Sequence, residues 1–332
     1  MRVLITGGNG FVGSHLLEGL LKHGHRLTVL LRETSDTRFI EHRLPEVRVE
    51  YGELREPQSL HRPLKGAEAV VHCAAKTKAV QRRDYYAVNE TGTANMVAAC
   101  NEAAPGLRHF VLISSLAVSG PGTLDEPARE DDEPRPVTDY GRSKLLAERC
   151  VRRDCRAPWT VLRPAAVYGP RDRDFFLAFK GVRGGLVPLL GGGGKALSLV
   201  FVADVVGGVL AALGREDAFG GTYHLAHPEP VTQEQFLGTI ARQMGVRPLY
   251  LPLPTPMLYV VCLSSELRAR LTRSPSILNL QKVPEYTAGG WVCSTERARR
   301  ELGFVARVPV EEGVARTLRW YRSQGWLPVA EE

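Results

Sequence analysis

The sequence predicts an α/β protein built on a doubly wound parallel sheet, with a smaller, discontinuous lobe in its C-terminal half. Three observations carry this prediction. Short β-branched runs alternate with apolar-periodic helical stretches from Arg2 to about Arg163, the pattern of strands buried between two helix layers. A glycine-rich turn, Gly7-Gly-Asn-Gly-Phe-Val-Gly13, stands between the first strand and the first helix. After Gly169 the alternation breaks into Gly- and Pro-rich segments at 181–194 and 248–256. At 332 residues the chain exceeds the usual size of a single core. We therefore expect a main domain over 1–169, completed by about 197–215, and a lobe with closing helices over 170–332.

The elements follow in order. Arg2–Thr6 is a β-branched strand, and the glycine turn leads into a helix over about 11–23. Glycines there permit a tight turn and let backbone amides approach a pyrophosphate at the positive end of the helix. A second strand spans Arg26–Leu31 and ends at Arg32; a third ends at Gly52-Glu-Leu54 and a fourth at Val71-His-Cys-Ala-Ala75. Asn89-Glu-Thr-Gly-Thr93 opens a long helix within about 83–104, Ser114-Ser115 closes the next strand, and a helix over about 138–153 carries Tyr140-Gly-Arg-Ser-Lys144. The acidic, Pro-rich run 125–136 reads as a mobile loop beside the site or as a merely solvated one. Leu199-Val-Phe-Val-Ala-Asp204 and the helix after it interrupt the irregular second half, and no internal repeat is evident.

Tyr140 and Lys144 lie four residues apart, so on a helix they share a face and an ammonium can stand beside a phenol. A free tyrosine titrates near ~10, and moving it about three units towards neutrality requires roughly 4 kcal/mol of electrostatic help. With that help the phenol becomes a proton donor.

Composition excludes several classes. Hydrophobic content of 44% with 24% charged residues is that of an ordinary globular protein. The net charge of +7 comes from arginines scattered over the whole length, which reads as a solvated surface and not a nucleic-acid stripe. The six cysteines show no CxxC spacing and no histidine cluster, so we expect reduced thiols, no metal site and a cytoplasmic location. The first residues enter a strand directly, without a signal-peptide layout. The apolar stretch 249–263, broken by Pro252, Pro254 and Pro256, is too short to span a bilayer. We expect it to wall a pocket or to make peripheral membrane contact.

The glycine spacing, GxxGxxG, together with the ordered motifs above, resembles the short-chain dehydrogenase/reductase superfamily, in particular its extended, NAD-dependent epimerase/dehydratase-like branch. Arg163-Pro-Ala-Ala-Val-Tyr-Gly-Pro170, Ser294-Thr-Glu-Arg-Ala-Arg-Arg-Glu-Leu-Gly303 and Trp320-Tyr321 extend the likeness over nearly the whole chain. The resemblance implies a Rossmann-type sheet and a nicotinamide dinucleotide. It places Gly7, Gly10, Phe11, Val12, Gly13, Arg32, Glu53, Leu54, Ala74, Ala75, Asn89, Tyr140, Lys144, Pro164 and Val167 around that cofactor. Asn89 resembles the asparagine that steadies the cofactor or the active-site loop, with helix capping as its other reading. In NAD enzymes of this fold an acid ends the second strand. Here the matching position is Leu31, followed by Arg32, whose guanidinium suits a 2′-phosphate. NADP(H) is therefore expected over NAD(H), with Glu33 or another residue serving NAD as the alternative. Glu53 stands one methylene longer than the family's adenine-side aspartate.

The same resemblance gives Ser115 the substrate oxygen, Tyr140 the proton transfer, and Lys144 the lowering of the phenol pKa and the nicotinamide ribose. Ser114 reads as a structural hydroxyl. Leu116 and Ala117 replace the acid pair of dehydratases, and Leu197 and Phe201 stand where epimerases carry arginine and histidine, with Lys195 or Arg173 as possible substitutes. What remains is similar to the 3β-hydroxysteroid dehydrogenase and dihydroflavonol reductase side, including bacterial 2-alkyl-3-ketoalkanoate reductases. The expectation is reversible reduction of a ketone on a small hydrophobic substrate, with 249–263, Leu186, Val187 and Leu189 either walling its pocket or forming ordinary core. An epimerase with tightly bound NAD and a non-catalytic dinucleotide-sensing protein are the alternatives. Helices 83–104 and 138–153 match those that make homodimers in relatives.

Overall fold

The protein is described by a computed structural model covering residues 1–272 and 279–328. Six strands come first: β1 (Arg2–Thr6), β2 (Arg26–Leu31), β3 (Arg48–Tyr51), β4 (Ala69–His72), β5 (His109–Ile113) and β6 (Trp159–Pro164). β7 (Ala166–Tyr168), β8 (Leu186–Leu190), β9 (Ala196–Leu197) and β10 (Leu199–Phe201) lie outside the main sheet. β11 (Thr222–Leu225) then completes it, and β12 (Val231–Thr232) and β13 (Leu249–Leu253) again lie outside. The sheet runs β3-β2-β1-β4-β5-β6-β11, all neighbours parallel. Val3 of β1 pairs with Leu27 on one side and Ala69 on the other. β4 and β5 are buried along their whole length, as strands covered on both faces must be.

The helices are α1 (Phe11–Lys22), α2 (His61–Leu64), α3 (Arg82–Tyr86), α4 (Gly92–Ala103), α5 (Asp139–Asp154), α6 (Phe176–Arg183), α7 (Val202–Ala212), α8 (Gln233–Met244), α9 (Thr255–Thr272), α10 (Val283–Thr287), α11 (Glu296–Leu302) and α12 (Val310–Ser323). Leu16, Leu17 and Leu20 of α1 pack with Val205 and Val209 of α7 and Leu302 of α11 on one face of the sheet. Leu64 of α2, Met96 and Val97 of α4, and Ala147 and Val151 of α5 fill the other. A third core, around Tyr168, Phe179, Phe236, Val314 and Tyr321, holds the second lobe together.

The two faces and the parallel order are those read from the strand-helix alternation. The segment 197–215 supplies α7 against α1, but the seventh strand comes later, as β11, which the sequence reading omitted. The predicted helix 83–104 is α3 and α4 joined by a π-helical turn, Ala87–Thr91; such turns concentrate at functional sites. The loop 125–136 differs from its expectation. Ala128 bridges to Cys293, and Glu130 accepts from the His224 amide at 2.9 Å. The loop is thus tied to β11 and contributes nothing to the cleft described below.

Candidate active site

A cleft of about 1100 Å³ opens at the C-terminal ends of the sheet strands, between them and the second lobe. The glycine turn forms its floor. Gly7 adopts φ +69°, and a Cβ there would stand 2.7 Å from the Ala74 backbone. At Gly13 a Cβ would stand 1.9 Å from the Gly7 carbonyl oxygen, so only glycine lets α1 start this close to β1. At Gly10 a Cβ would meet only that carbonyl, at 3.3 Å, and otherwise project into open space. Gly10 is also the N-cap of α1 and offers no side-chain cap, so the first-turn amides keep unused donors. Arg171 lines the same cleft, with Nη2 on Glu18 at 2.6 Å and a buried Nη1 that has no partner among the described residues. Bare amides at a helix start and an unsatisfied guanidinium N–H fit an anion such as a dinucleotide's pyrophosphate.

Gly7, Gly10, Phe11, Val12, Gly13, Arg32, Glu53, Leu54, Ala74, Ala75, Ser115, Tyr140, Lys144, Pro164 and Val167 all line this cleft. Asn89 does not. Its side chain lies beneath the cleft wall, accepting from the Lys76 amide at 2.7 Å and donating to the Lys76 carbonyl at 3.0 Å and to Ser143 Oγ at 2.9 Å. It neither caps a helix nor faces the cavity; it fixes the loop after β4 to helix α5.

At the far end, Leu31 is buried and Arg32 exposed, with the Arg32 amide donating to Ser35 Oγ at 2.9 Å. Among the described residues no carboxylate pairs with the Arg32 guanidinium. Asp36, also on the cleft, is occupied by Arg38: the side-chain hydrogen bond at 3.0 Å holds its carboxyl below the usual range. Glu53 accepts from Arg55 Nε at 2.7 Å.

At the chemical end, β5 leads into Ser115, whose Oγ accepts from the Ala117 amide at 3.2 Å; Ser115 and Tyr140 both line the cleft there. Lys144 Nζ donates to the Ile113 carbonyl at 2.7 Å, leaving donors for the cleft. Burial pulls the Lys144 ammonium down to about 8, partly offset by Cys73 and Glu148. In the free protein burial raises the Tyr140 pKa, opposed by Ser115 and then Lys282. Lys282 sits in the turn before α10 and lines the cleft, 3.7 Å from Glu285. Burial opposes its charge, but Glu285 and Tyr286 raise its pKa above the ordinary lysine value.

Two buried networks hold these groups. Thr6 Oγ1 accepts from the Ala74 amide and bonds His72 Nδ1 at 2.9 Å; His72 Nε2 bonds Thr93 Oγ1, which donates to the Asn89 carbonyl. Ser114 Oγ donates to Glu148 at 2.6 Å, and Arg163 donates to both Glu148 oxygens at 2.9 and 2.7 Å and to Ser119 Oγ at 3.1 Å. Ser114 is therefore structural, as the spacing predicted.

Other expectations are corrected. Leu186, Val187, Leu189 and segment 249–263 do not line the cleft; Leu190 alone of β8 does. Val187 and Leu189 are core, while Leu186, Leu249, Leu251 and much of α9 face solvent. Lys195 is on the cleft wall but spends its Nζ on the Tyr286 carbonyl at 3.1 Å, and Arg173 lies over the Trp326 ring at 5.9 Å. Asp204 staples the Arg307 and Val308 amides, each at 3.1 Å. Leu197, where an epimerase arginine would stand, lines the cleft. Lys282, Arg171 and Asp36 were missed; a search for charged residues without a structural excuse would have marked only Arg171, just after the Gly169-Pro170 turn.

The sequence model of the NAD dependent epimerase/dehydratase family matches residues 3–226. The human sterol-4-alpha-carboxylate 3-dehydrogenase, decarboxylating, is 31% identical, covering 97% of this chain and 88% of that protein. A ceramide reductase of Caulobacter vibrioides is 30% identical, covering 98% and 96%. Among solved structures, MoeE5 in complex with UDP-glucuronic acid and NAD superposes with a TM-score of 0.77 at 27% identity, covering 98% of this chain and all of that one (100%).

Proposed function

The chain belongs to the NAD dependent epimerase/dehydratase family, the extended short-chain dehydrogenases/reductases, and from that premise we propose that it is an NADP(H)-dependent oxidoreductase interconverting a ketone and a secondary alcohol on a hydrophobic substrate. Family membership makes it a nicotinamide-dependent enzyme acting on alcohol or ketone groups. The observation that carries the finer reading is that Ser115, Tyr140 and Lys144 line one cleft floored by the glycine turn.

A bound nicotinamide dinucleotide supplies or takes up the hydride. Ser115 Oγ holds the substrate oxygen, and Tyr140 Oη delivers its proton to that oxygen as the carbonyl carbon becomes tetrahedral. Lys144 and Lys282, cations lining the same cleft as the phenol, stabilise the phenolate that remains. In the reverse direction the same phenolate takes the proton of the alcohol. Arg32, exposed and unpaired with any described carboxylate beyond a buried Leu31, supports a 2′-phosphate and hence NADP(H). Apolar Leu116, Ala117 and Leu197 on the cleft wall support simple hydride transfer over dehydration or nucleotide-sugar epimerisation. The two relatives named for a sterol carboxylate and a ceramide support a lipid-like ketone. Helices α3–α4 and α5 are the expected homodimer face, which light scattering would test.

The experiment is a titration of the purified protein with NADPH and NADH, followed by turnover on long-chain 3-keto acids, 3-ketosteroids and nucleotide sugars. Tight, reversible NADPH binding with ketone reduction is the expected result. Retained NAD with turnover of a nucleotide sugar and of no ketone would overturn the reading.

A further inference from the structure

The exposed large apolar side chains are concentrated on one part of the second lobe. The parallel ribbon of β8 and β13 turns Leu186, Leu249 and Leu251 outward, at 51%, 62% and 44% exposure. The chain then passes through Pro254 directly into α9. There Met257, Val260, Leu263, Leu267 and Leu271 are exposed by between 49% and 86%. Their steps of three and four residues put them along one helical face. The opposite face of α9 buries Leu258, Cys262 and Ala269. A helix at a water interface carries polar residues outward; α9 is apolar on both sides, and an apolar surface of this extent marks an interaction site.

Among the described residues, arginines flank these leucines. Arg183 leads into β8 and Arg247 into β13, brought together where the Leu249 amide donates to the Gly185 carbonyl at 2.8 Å. Arg268 stands on α9 beside Leu267, and all three arginines are exposed. Glu266, the single carboxylate within α9, turns inward to the Leu280 amide at 3.4 Å. The inner face of α9 packs with Leu190 and Tyr286, which line the cleft. The exposed surface is therefore the outer side of the cleft's own wall. Among the described residues no helix is long and apolar enough to cross a membrane, so this is the geometry of a helix lying in an interface.

We propose that the β8–β13 ribbon and the outer face of α9 dock on an anionic lipid bilayer, the leucines entering the headgroup boundary and Arg183, Arg247 and Arg268 meeting lipid phosphates. Docking places the substrate end of the cleft against the membrane, so a lipid ketone enters without crossing water. The apolar stripe gives the depth of insertion, and the arginines give the preference for negative charge.

The test is cosedimentation of the full chain with phosphatidylcholine vesicles made with and without phosphatidylglycerol, alongside light scattering without vesicles. Sedimentation with the anionic vesicles is expected. Val260→Asp with Leu267→Asp should lower it more than tenfold at unchanged dinucleotide binding and circular dichroism. Replacing Arg183, Arg247 and Arg268 together by glutamine removes about fivefold per residue, roughly hundredfold in all, on anionic vesicles, and safeguards the result if the aspartates impair folding. Failure to sediment with anionic vesicles overturns the proposal. So does a change from dimer to monomer in the aspartate variant without vesicles, which would assign the surface to a second copy of the chain. Vesicle binding requires no turnover, so a wrong substrate reading would leave this outcome untouched.

Discussion

Replacing Glu148 by leucine should be among the most damaging single substitutions outside the catalytic groups. Glu148 and Arg163 are each 1% exposed, joined by hydrogen bonds of 2.9 and 2.7 Å, and Ser114 adds a third to the carboxylate at 2.6 Å. Without the carboxylate the guanidinium stays buried with only Ser119 Oγ as a partner, and stranding a charge in this way costs about 3–5 kcal/mol. Each kcal/mol moves the midpoint of a domain of 150–250 residues by about 2–4 °C; at the low end of that range, for this longer chain, Tm should fall by roughly 6–10 °C. Thermal unfolding at one fixed scan rate reads the shift. Glu148→Leu combined with Arg163→Met should recover most of it, because exchanging both partners for apolar groups removes the stranded charge. Turnover should suffer in the single variant too, since Ser114 precedes Ser115. A single variant within about 1 kcal/mol of the parent, or a double no better than the single, would refute the reasoning.

The other predictions concern the site and its titration. Tyr140→Phe should lower turnover by about 10²–10⁴ while leaving dinucleotide affinity in place; unchanged turnover would remove Tyr140 from the chemistry. Arg32→Glu should weaken NADPH far more than NADH in a fluorescence titration, and an equal loss of both would leave the 2′-phosphate without its proposed partner. With Lys144 brought down to about 8 by burial, kcat/KM should decline above about pH 8 as the ammonium loses its proton, and Lys144→Arg should move that limb to higher pH. Burial, aided by the nearby cations Lys144 and Arg163 respectively, depresses His72 and His224 to about 3. The folded protein keeps both neutral while the unfolded chain protonates near ~6.5, so stability is level above that pH and falls below it, by up to about 1.4 kcal/mol per unit for each histidine. Tm measured at pH 7 and pH 5 should show the fall, and a flat profile would contradict it.

The parts of the molecule that follow local rules could be read directly. β1 and β2 end where their β-branched runs end, and the glycine turn announces a backbone approach that Gly7 and Gly13 then make. Both serines after β5 line the cleft, and Ser114 donates to Glu148, the structural part the resemblance gave it. The misreadings share a physical cause. Tyr140 and Lys144 do share a helix face, but Lys144 reaches down to the Ile113 carbonyl, and rotamers are set by partners that come from distant strands. Lys282 has no motif around it; it enters the site only because α10 packs against α9. β11 is four residues long, too short for its alternation to stand out. In α9 the apolar residues occur on both faces, and composition alone gives the same signal for a core helix, a pocket wall and a surface left bare.

The placement of β11 governs how the chain can be made. β6 hydrogen-bonds to β5 on one side and to β11 on the other, yet everything from β7 to α7 is synthesised between β6 and β11. Until Thr222 has emerged, the nascent sheet ends in an unpaired strand whose Val161 and Leu162 are destined for complete burial. Such an edge invites pairing with another chain. Release of the chain soon after Gly169 would therefore yield a sticky product with its dinucleotide floor complete and its sheet open. In refolding, loop entropy slows the closure of β6 by β11 across that long connection, as it slows the pairing of β1 with β4.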